Sequence, residues 1–174
     1  MSFIFAVVFI IVILFGVVSF SGAPYVPSHR KYVQRAFDHF GLGSKDVLVD
    51  VGSGDGVVLR IASRYGAKAV GYEINPILVG VSRLLSVRDE RVSVLMLNFW
   101  RVQLPEATTI VYAFSVSRDE KKLTKLLQRE ANRLHKPLKL LCYGSPFKRI
   151  QADSTYEAYS LYVFQPLKTK KLKV

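Results

Sequence analysis

The sequence predicts an α/β domain built on a mostly parallel sheet, closed by a C-terminal antiparallel hairpin and preceded by one membrane-spanning helix. Three observations predict it. Short apolar runs recur at Val47–Val51, Ala69–Glu73, Val92–Leu97, Ile110–Phe114 and Leu138–Tyr143, as expected of strands buried on both faces. Segments with helical spacing of apolar residues separate most of these runs, which favours parallel strands joined by crossovers. Tyr156–Phe164 instead alternates with period two, the mark of a half-buried antiparallel strand, and its partner is expected within Phe147–Ala152.

The elements follow in order. Ser28 can cap a helix whose apolar residues Tyr32, Val33, Ala36, Phe37 and Phe40 share one face, with Gly41 or Gly43 ending it. After the first strand a helix runs from about Val57 to Tyr65, with Gly66 as its stop. Asn75-Pro76 is a helix start, a capping residue followed by proline at the first helical position, and that helix continues to about Val87. Residues 98–108 are too short and too polar for a full crossover helix. Arg118 to Leu134 is amphipathic, with Leu123, Leu126, Leu127, Ala131 and Leu134 on one side, and Pro137 punctuates it before the fifth strand.

The first strand runs into Asp50-x-Gly52-x-Gly54-x-Gly56 and a helix N-terminus, so Gly52, Ser53, Gly54, Asp55 and Gly56 form a turn that lets backbone approach a ligand closely. The dinucleotide fingerprint G-x-G-x-x-G does not fit, because the third glycine comes one residue early and Val57 stands in its place. With its acidic residue before the first glycine, the turn resembles the first motif of class I S-adenosylmethionine-dependent methyltransferases, which have Rossmann-like sheets.

In parallel sheets of this kind ligands lie at the carboxyl ends of the strands. Glu73, at the end of the second strand, can accept both hydroxyls of a ribose. Asn98 carries the acceptor and donor needed to read an adenine edge, and Phe99 beside it can stack on the ring. Phe114-Ser115 ends the fourth strand, on the side where a reactive methyl group would emerge. Trp100, Tyr112, Phe114 and Tyr143 are candidates to line an acceptor channel and to hold a methylated ammonium by cation–π attraction.

Four segments succeed one another at particular distances: Pro24-Tyr25-Val26-Pro27-Ser28, then Asp50 to Gly56, then Gly71-Tyr72-Glu73-Ile74-Asn75-Pro76-Ile77-Leu78-Val79, then Asn98-Phe99-Trp100. This series is similar to the membrane-anchored protein-lysine methyltransferases that include the mitochondrial enzymes modifying the ADP/ATP carrier and the c-type ring protein of ATP synthase. The resemblance covers roughly residues 24–164. It implies that Tyr25, Asp50 to Gly56, Glu73, Ile74 and Asn98 lie near S-adenosyl-L-methionine, and that the acceptor is a lysine of a protein. Two departures stand out: Asn98 where the family commonly has Asp, and Ile77 where it commonly has Trp.

Charge and hydropathy bound the rest. Lys plus Arg outnumber Asp plus Glu by 25 to 13, a net charge of +12 that suits a polyanionic partner or an anionic membrane surface. No RNA-binding module and no RNA-recognition motif accompanies it. Phe3–Phe20 is uncharged, and at ~1.5 Å per residue it spans roughly 27 Å, close to the thickness of a bilayer core. Arg30, Lys31 and Arg35 follow the run, which places the domain on the cytoplasmic side of a single-pass anchor. The expected organisation is an anchor over residues 1–22, a catalytic domain over 23–167 and a basic tail over 168–174.

Cys142 is the only cysteine and the three histidines are scattered, so no metal is expected. No paired carboxylates and no Ser-His-Asp or Cys-His set is present. Besides protein-lysine methylation, two alternatives remain at this point: methylation of RNA or a small molecule such as a lipid or quinone, and a cofactor-binding scaffold without turnover.

Overall fold

The computed structural model describes residues 28–115 and 119–167, together with residues 4, 5, 8 and 9. Its elements are α1 (Arg30–Phe40), β1 (Val47–Val51), α2 (Val57–Arg64), β2 (Lys68–Glu73), α3 (Pro76–Leu85), β3 (Val92–Met96), β4 (Ile110–Ser115), α4 (Glu120–Leu134), β5 (Leu138–Gly144), β6 (Ser154–Tyr156) and β7 (Tyr159–Phe164). The strands form one sheet in the order β3-β2-β1-β4-β5-β7-β6. β1 to β5 are parallel, and β7 runs antiparallel between β5 and β6.

Alternation along the strands builds two cores. Leu48 and Leu141 face α1, α2 and α3, joining Val33, Phe37, Leu59, Ala62 and Val79. Val49, Leu140 and Cys142 face the other way, against Leu123, Leu127 and Ala131 of α4. Both faces are therefore covered, which is why β1 and β5 can be apolar at successive positions. Each buried leucine contributes about 1.5–3 kcal/mol relative to leaving it in water.

Local chemistry sets most boundaries. Gly41, in the left-handed region at φ 69°, ends α1. Asn75 caps α3, its Oδ1 accepting from the N–H of Ile77 and Leu78, with Pro76 at the first helical position. The crossover from β3 to β4 is reduced to a 3-10 turn, Phe99–Arg101, as its polar composition predicts.

Three expectations need correction. His29 rather than Ser28 is the N-cap of α1, and it makes no side-chain capping bond. Tyr156–Phe164 is not one strand: Glu157 takes φ 52°, the chain turns there, and β6 pairs back on β7 with Tyr156 opposite Tyr159. Residues 147–152 consequently form no strand. β7 is also an interior strand, with Tyr159, Ser160, Tyr162 and Phe164 all buried, because β5 and β6 flank it.

Candidate functional site

The sheet order reverses between β1 and β4, so a crevice opens beyond their carboxyl ends, where parallel sheets place their ligands. β1 enters it through the glycine turn. Gly52, Gly54 and Gly56 all have positive φ, at 82°, 54° and 79°. The N–H groups of Gly52 and Ser53 donate to Tyr72 O at 2.9 and 3.1 Å, binding the turn to β2. A Cβ at Gly56 would overlap the Ser82 hydroxyl of α3, whereas one at Gly52 would meet open space. Gly56 is thus required by packing, and Gly52 leaves backbone exposed on the crevice side.

Glu73 is the pivot of the site. Its carboxylate is buried, yet it ends β2 at the lip of the crevice. Oε2 accepts from Gly54 N at 2.9 Å, and Oε1 accepts from Ile74 N and Asn75 N, both at 2.8 Å. Three backbone donors fix its orientation and stabilise its negative charge. Oε1 thus has both lone pairs engaged, and Oε2 keeps one for a further donor.

Asp50 lies beside it at the end of β1, 4% exposed. Among the described residues no hydrogen bond ends on its carboxylate. Burial, then the charges of Glu73 and Asp55, push its pKa up from 3.8 to about 8. Asp55 is engaged with its own helix: Oδ1 accepts from Val57 N at 3.3 Å and Oδ2 lies 3.6 Å from Arg60 Nη2. Arg60 also donates to Asp55 O at 2.6 Å. Three carboxylates thus crowd one lip of a chain that is otherwise strongly basic. With Asp50 holding its proton at neutral pH, the set fits a ligand that brings hydrogen-bonding groups to the lip and a positive charge to Glu73 and Asp55. Ser53 adds a buried hydroxyl without a hydrogen-bond partner, lying where a Cβ at Gly71 would touch it.

The other expected residues divide. Asn98 Oδ1 accepts from Trp100 N at 3.0 Å and caps the 3-10 turn, so its side chain is exposed at the lip with its amide donors outward. Phe99 is a correction: its ring packs in the core on Tyr72, centroids 6.4 Å apart, so it presents no open face for stacking. Trp100 is another. It lies away from the aromatic channel, on a cavity of about 480 Å³ with Arg101, Gln103, Arg129, Glu130 and Arg133, and Lys122 Nζ sits 4.1 Å over its ring. Ile74 is half-buried at the rim. Tyr25 and the side chain of Ser115 lie outside the described residues.

Tyr112, Phe114 and Tyr143 do come together, and the structure adds Tyr159 of β7. Ring centroids are 5.8 Å apart for Phe114–Tyr143, 5.0 Å for Tyr143–Tyr159 and 6.4 Å for Tyr112–Tyr159. Phe114 is 41% exposed at the mouth, while Tyr112 is buried beneath. The Tyr112 hydroxyl lies near those of Tyr159 and Ser28 and near Asp50, but meets no partner in hydrogen-bond geometry. Burial raises its pKa well above the ordinary range. The cluster is therefore neutral, apolar and open at one end, next to the three carboxylates.

Sequence reasoning missed Tyr159, whose register opposite Tyr143 only the sheet reveals, and the role of Asn75, whose N–H steadies Glu73. The Asn-Pro pair signalled a helix start but not a brace for the site. Burial pushes the Cys142 thiol up to about 12, so it is no nucleophile. Among the described residues no group of three His, Cys, Asp or Glu side chains could hold a metal ion.

Parallel strands in this order, a glycine turn after β1 and an acid after β2 define a class I methyltransferase fold. A solved structure shares it: the RNA methyltransferase from Salinibacter ruber, in complex with S-adenosyl-L-homocysteine, superposes with a TM-score of 0.73 over 86% of this chain and 100% of that one, at 23% identity. At that identity the likeness speaks to fold alone. No family model matches the sequence. Among curated proteins, the human lysine N-methyltransferase of the ATP synthase c-subunit is 33% identical over 62% of this chain and 46% of its own length. A protein-lysine N-methyltransferase of Saccharolobus islandicus is 31% identical over 62% of this chain and 69% of its own. The chain belongs to this family of protein-lysine N-methyltransferases. It spans about half the length of the human relative.

Proposed function

We propose that this protein is an S-adenosylmethionine-dependent methyltransferase that modifies lysine in a protein lying in or at the same membrane. The observation that carries the reading is Glu73, a buried carboxylate fixed by three backbone donors at the lip of β2, beside the glycine turn. It supplies a rigid acceptor at Oε2 suited to a ribose hydroxyl, and its negative charge with that of Asp55 favours a cationic cofactor. The exposed amide of Asn98 has the donor and acceptor suited to a base edge. When bound, the cofactor supplies a methyl group activated by its sulfonium.

The chain's part is to bring a neutral amine to that group. A lysine ammonium ordinarily holds its proton up to a pKa of ~10.4. Entry into the cluster of Phe114, Tyr143 and Tyr159 strips water from it and lowers that value, so the proton is released to solvent at the mouth before the amine attacks, without a dedicated base. The electron-rich faces of the same rings can hold the cationic product. The lysine acceptor is favoured by the names of the curated relatives, all of which are lysine N-methyltransferases.

Membrane attachment is supported by the uncharged Phe3–Phe20 run. Within it Ile4, Phe5, Val8 and Phe9 are helical and more than half exposed. Among the described residues no helix is long and apolar enough to cross a membrane, and the rest of the run lies outside them. The basic residues after the run favour a domain facing the cytoplasm.

Incubating the purified full chain with radiolabelled S-adenosylmethionine, native membranes and RNA tests the reading. Label on lysine of a membrane protein is the expected result. Label in RNA or lipid would move the substrate class, and bound but untransferred cofactor would leave a scaffold.

A further inference from the structure

α4 carries two carboxylates, and the fold turns both inward. Glu120 accepts from Lys148 N at 3.1 Å and Arg149 N at 2.7 Å, closing the loop after β5 onto the helix. Glu130 is 1% exposed; its Oε2 accepts from Leu104 N and takes both Nε and Nη2 of Arg133. The outer face keeps Lys121, Lys122, Lys125 and Arg129, all exposed, with no exposed acid along the helix. At 3.6 residues per turn these four fall within an arc of about 100°, opposite the buried Leu123, Leu126 and Leu127. Arg101 continues the positive surface from the neighbouring turn.

The C-terminus is delivered to this same face. Gln128 Nε2 donates to Gln165 O at 2.7 Å, and Leu167 N donates to Asn132 Oδ1 at 2.8 Å. Gln128 and Asn132 lie about one and two turns beyond Lys125 on the helix surface, and Lys168, Lys170, Lys171 and Lys173 follow Leu167 in the sequence. The described chain thus ends against α4, beside its exposed cations.

We infer that the outer face of α4, with Arg101 beside it, is an electrostatic docking surface for an anionic lipid bilayer. The inference rests on the membrane reading above. A lipid surface suits a flat stripe of flexible cations, whereas single-stranded RNA asks for open aromatic platforms between them. Trp100, the ring beside the stripe, already carries Lys122 over it. Docking through α4 would fix which side of the domain faces the bilayer, a task that a single apolar segment on a linker cannot perform.

Flotation of the full chain with vesicles provides the test. Capture by neutral phosphatidylcholine vesicles reports the apolar segment alone; the excess captured when phosphatidylserine is added reports the basic face. Each cation near such a surface is worth about fivefold in partitioning. The excess should be several hundredfold (about four such cations) at low salt and should shrink as salt screens it. It should be abolished by K121E/K125E and roughly halved on a logarithmic scale by K121Q/K125Q, with cofactor affinity unchanged in both. An unchanged excess in the charge-reversed variant overturns the inference, as does equal capture by both vesicles. Release from anionic vesicles by equimolar RNA, through the same two lysines, also overturns it and assigns the face to nucleic acid. Calorimetry with S-adenosylmethionine on the same preparation reports independently on the enzyme reading.

Discussion

Asp46 and Asp50 stand at opposite ends of β1, four residues apart, and the fold treats them in opposite ways. At the entry end Asp46 Oδ2 accepts from Gly43 N at 3.0 Å and Oδ1 accepts from Thr109 Oγ1 at 2.8 Å. Thr109 in turn accepts from Val47 N at 3.0 Å, so a closed ring of bonds ties β1 to the start of β4. At the exit end Asp50 is buried beside Glu73 and Asp55, with no described donor. One end of the strand uses its carboxylate for stability. The other keeps a buried, protonated carboxyl with no described partner at the lip of the crevice, the kind of local cost that binding sites commonly carry.

The largest effect expected from this contrast comes from replacing Asp50. The folded carboxyl keeps its proton up to about 8, while an unfolded one loses it near 3.8. Between those values the native state binds the extra proton, so stability falls as pH rises, by about 1.4 kcal/mol per unit. Asp50→Asn should remove that slope and leave the variant more stable than the parent at alkaline pH, while weakening cofactor binding. Urea unfolding at several pH values checks it; parallel curves for the two proteins would break the comparison.

Next comes Glu73→Gln, which replaces a charged acceptor by an amide facing backbone donors. A charge-assisted bond is worth about 1.5–3 kcal/mol, so S-adenosylmethionine should bind roughly 10–100-fold more weakly by calorimetry. Unchanged affinity would remove Glu73 from the site. The smallest effect belongs to the entry end. Thr109→Val deletes two bonds and should cost about 1–2 kcal/mol of stability, leaving cofactor affinity intact. A loss of affinity there would show that the two ends of β1 are coupled rather than separate.

How much could be read from the chain varies with the range of the interaction. β1, the glycine turn, the Asn75-Pro76 helix start and the trimmed β3–β4 crossover were legible because each depends on neighbouring residues: φ freedom, a cap, a fixed proline ring. Phe99 and Trp100 misled because whether a ring at a strand end faces a crevice or a core is set by what packs over it. Here Tyr72 takes Phe99, and Lys122 of α4 takes Trp100. β7 misled for a related reason: alternation reports one covered face, and β6 covers the edge that the pattern leaves open.

The amino-acid sequence by itself determined where backbone must bend sharply and which acids end the strands, since backbone dihedrals and strand phase are settled within a few residues. Only the tertiary structure decided what those acids do. It satisfied Asp46 and kept Asp50 protonated without a described partner, turned both carboxylates of α4 inward, and brought Gln165 and Leu167 beside its cations. The reason is physical: the charge a side chain carries and the surface it presents depend on desolvation and on partners that approach from distant parts of the chain.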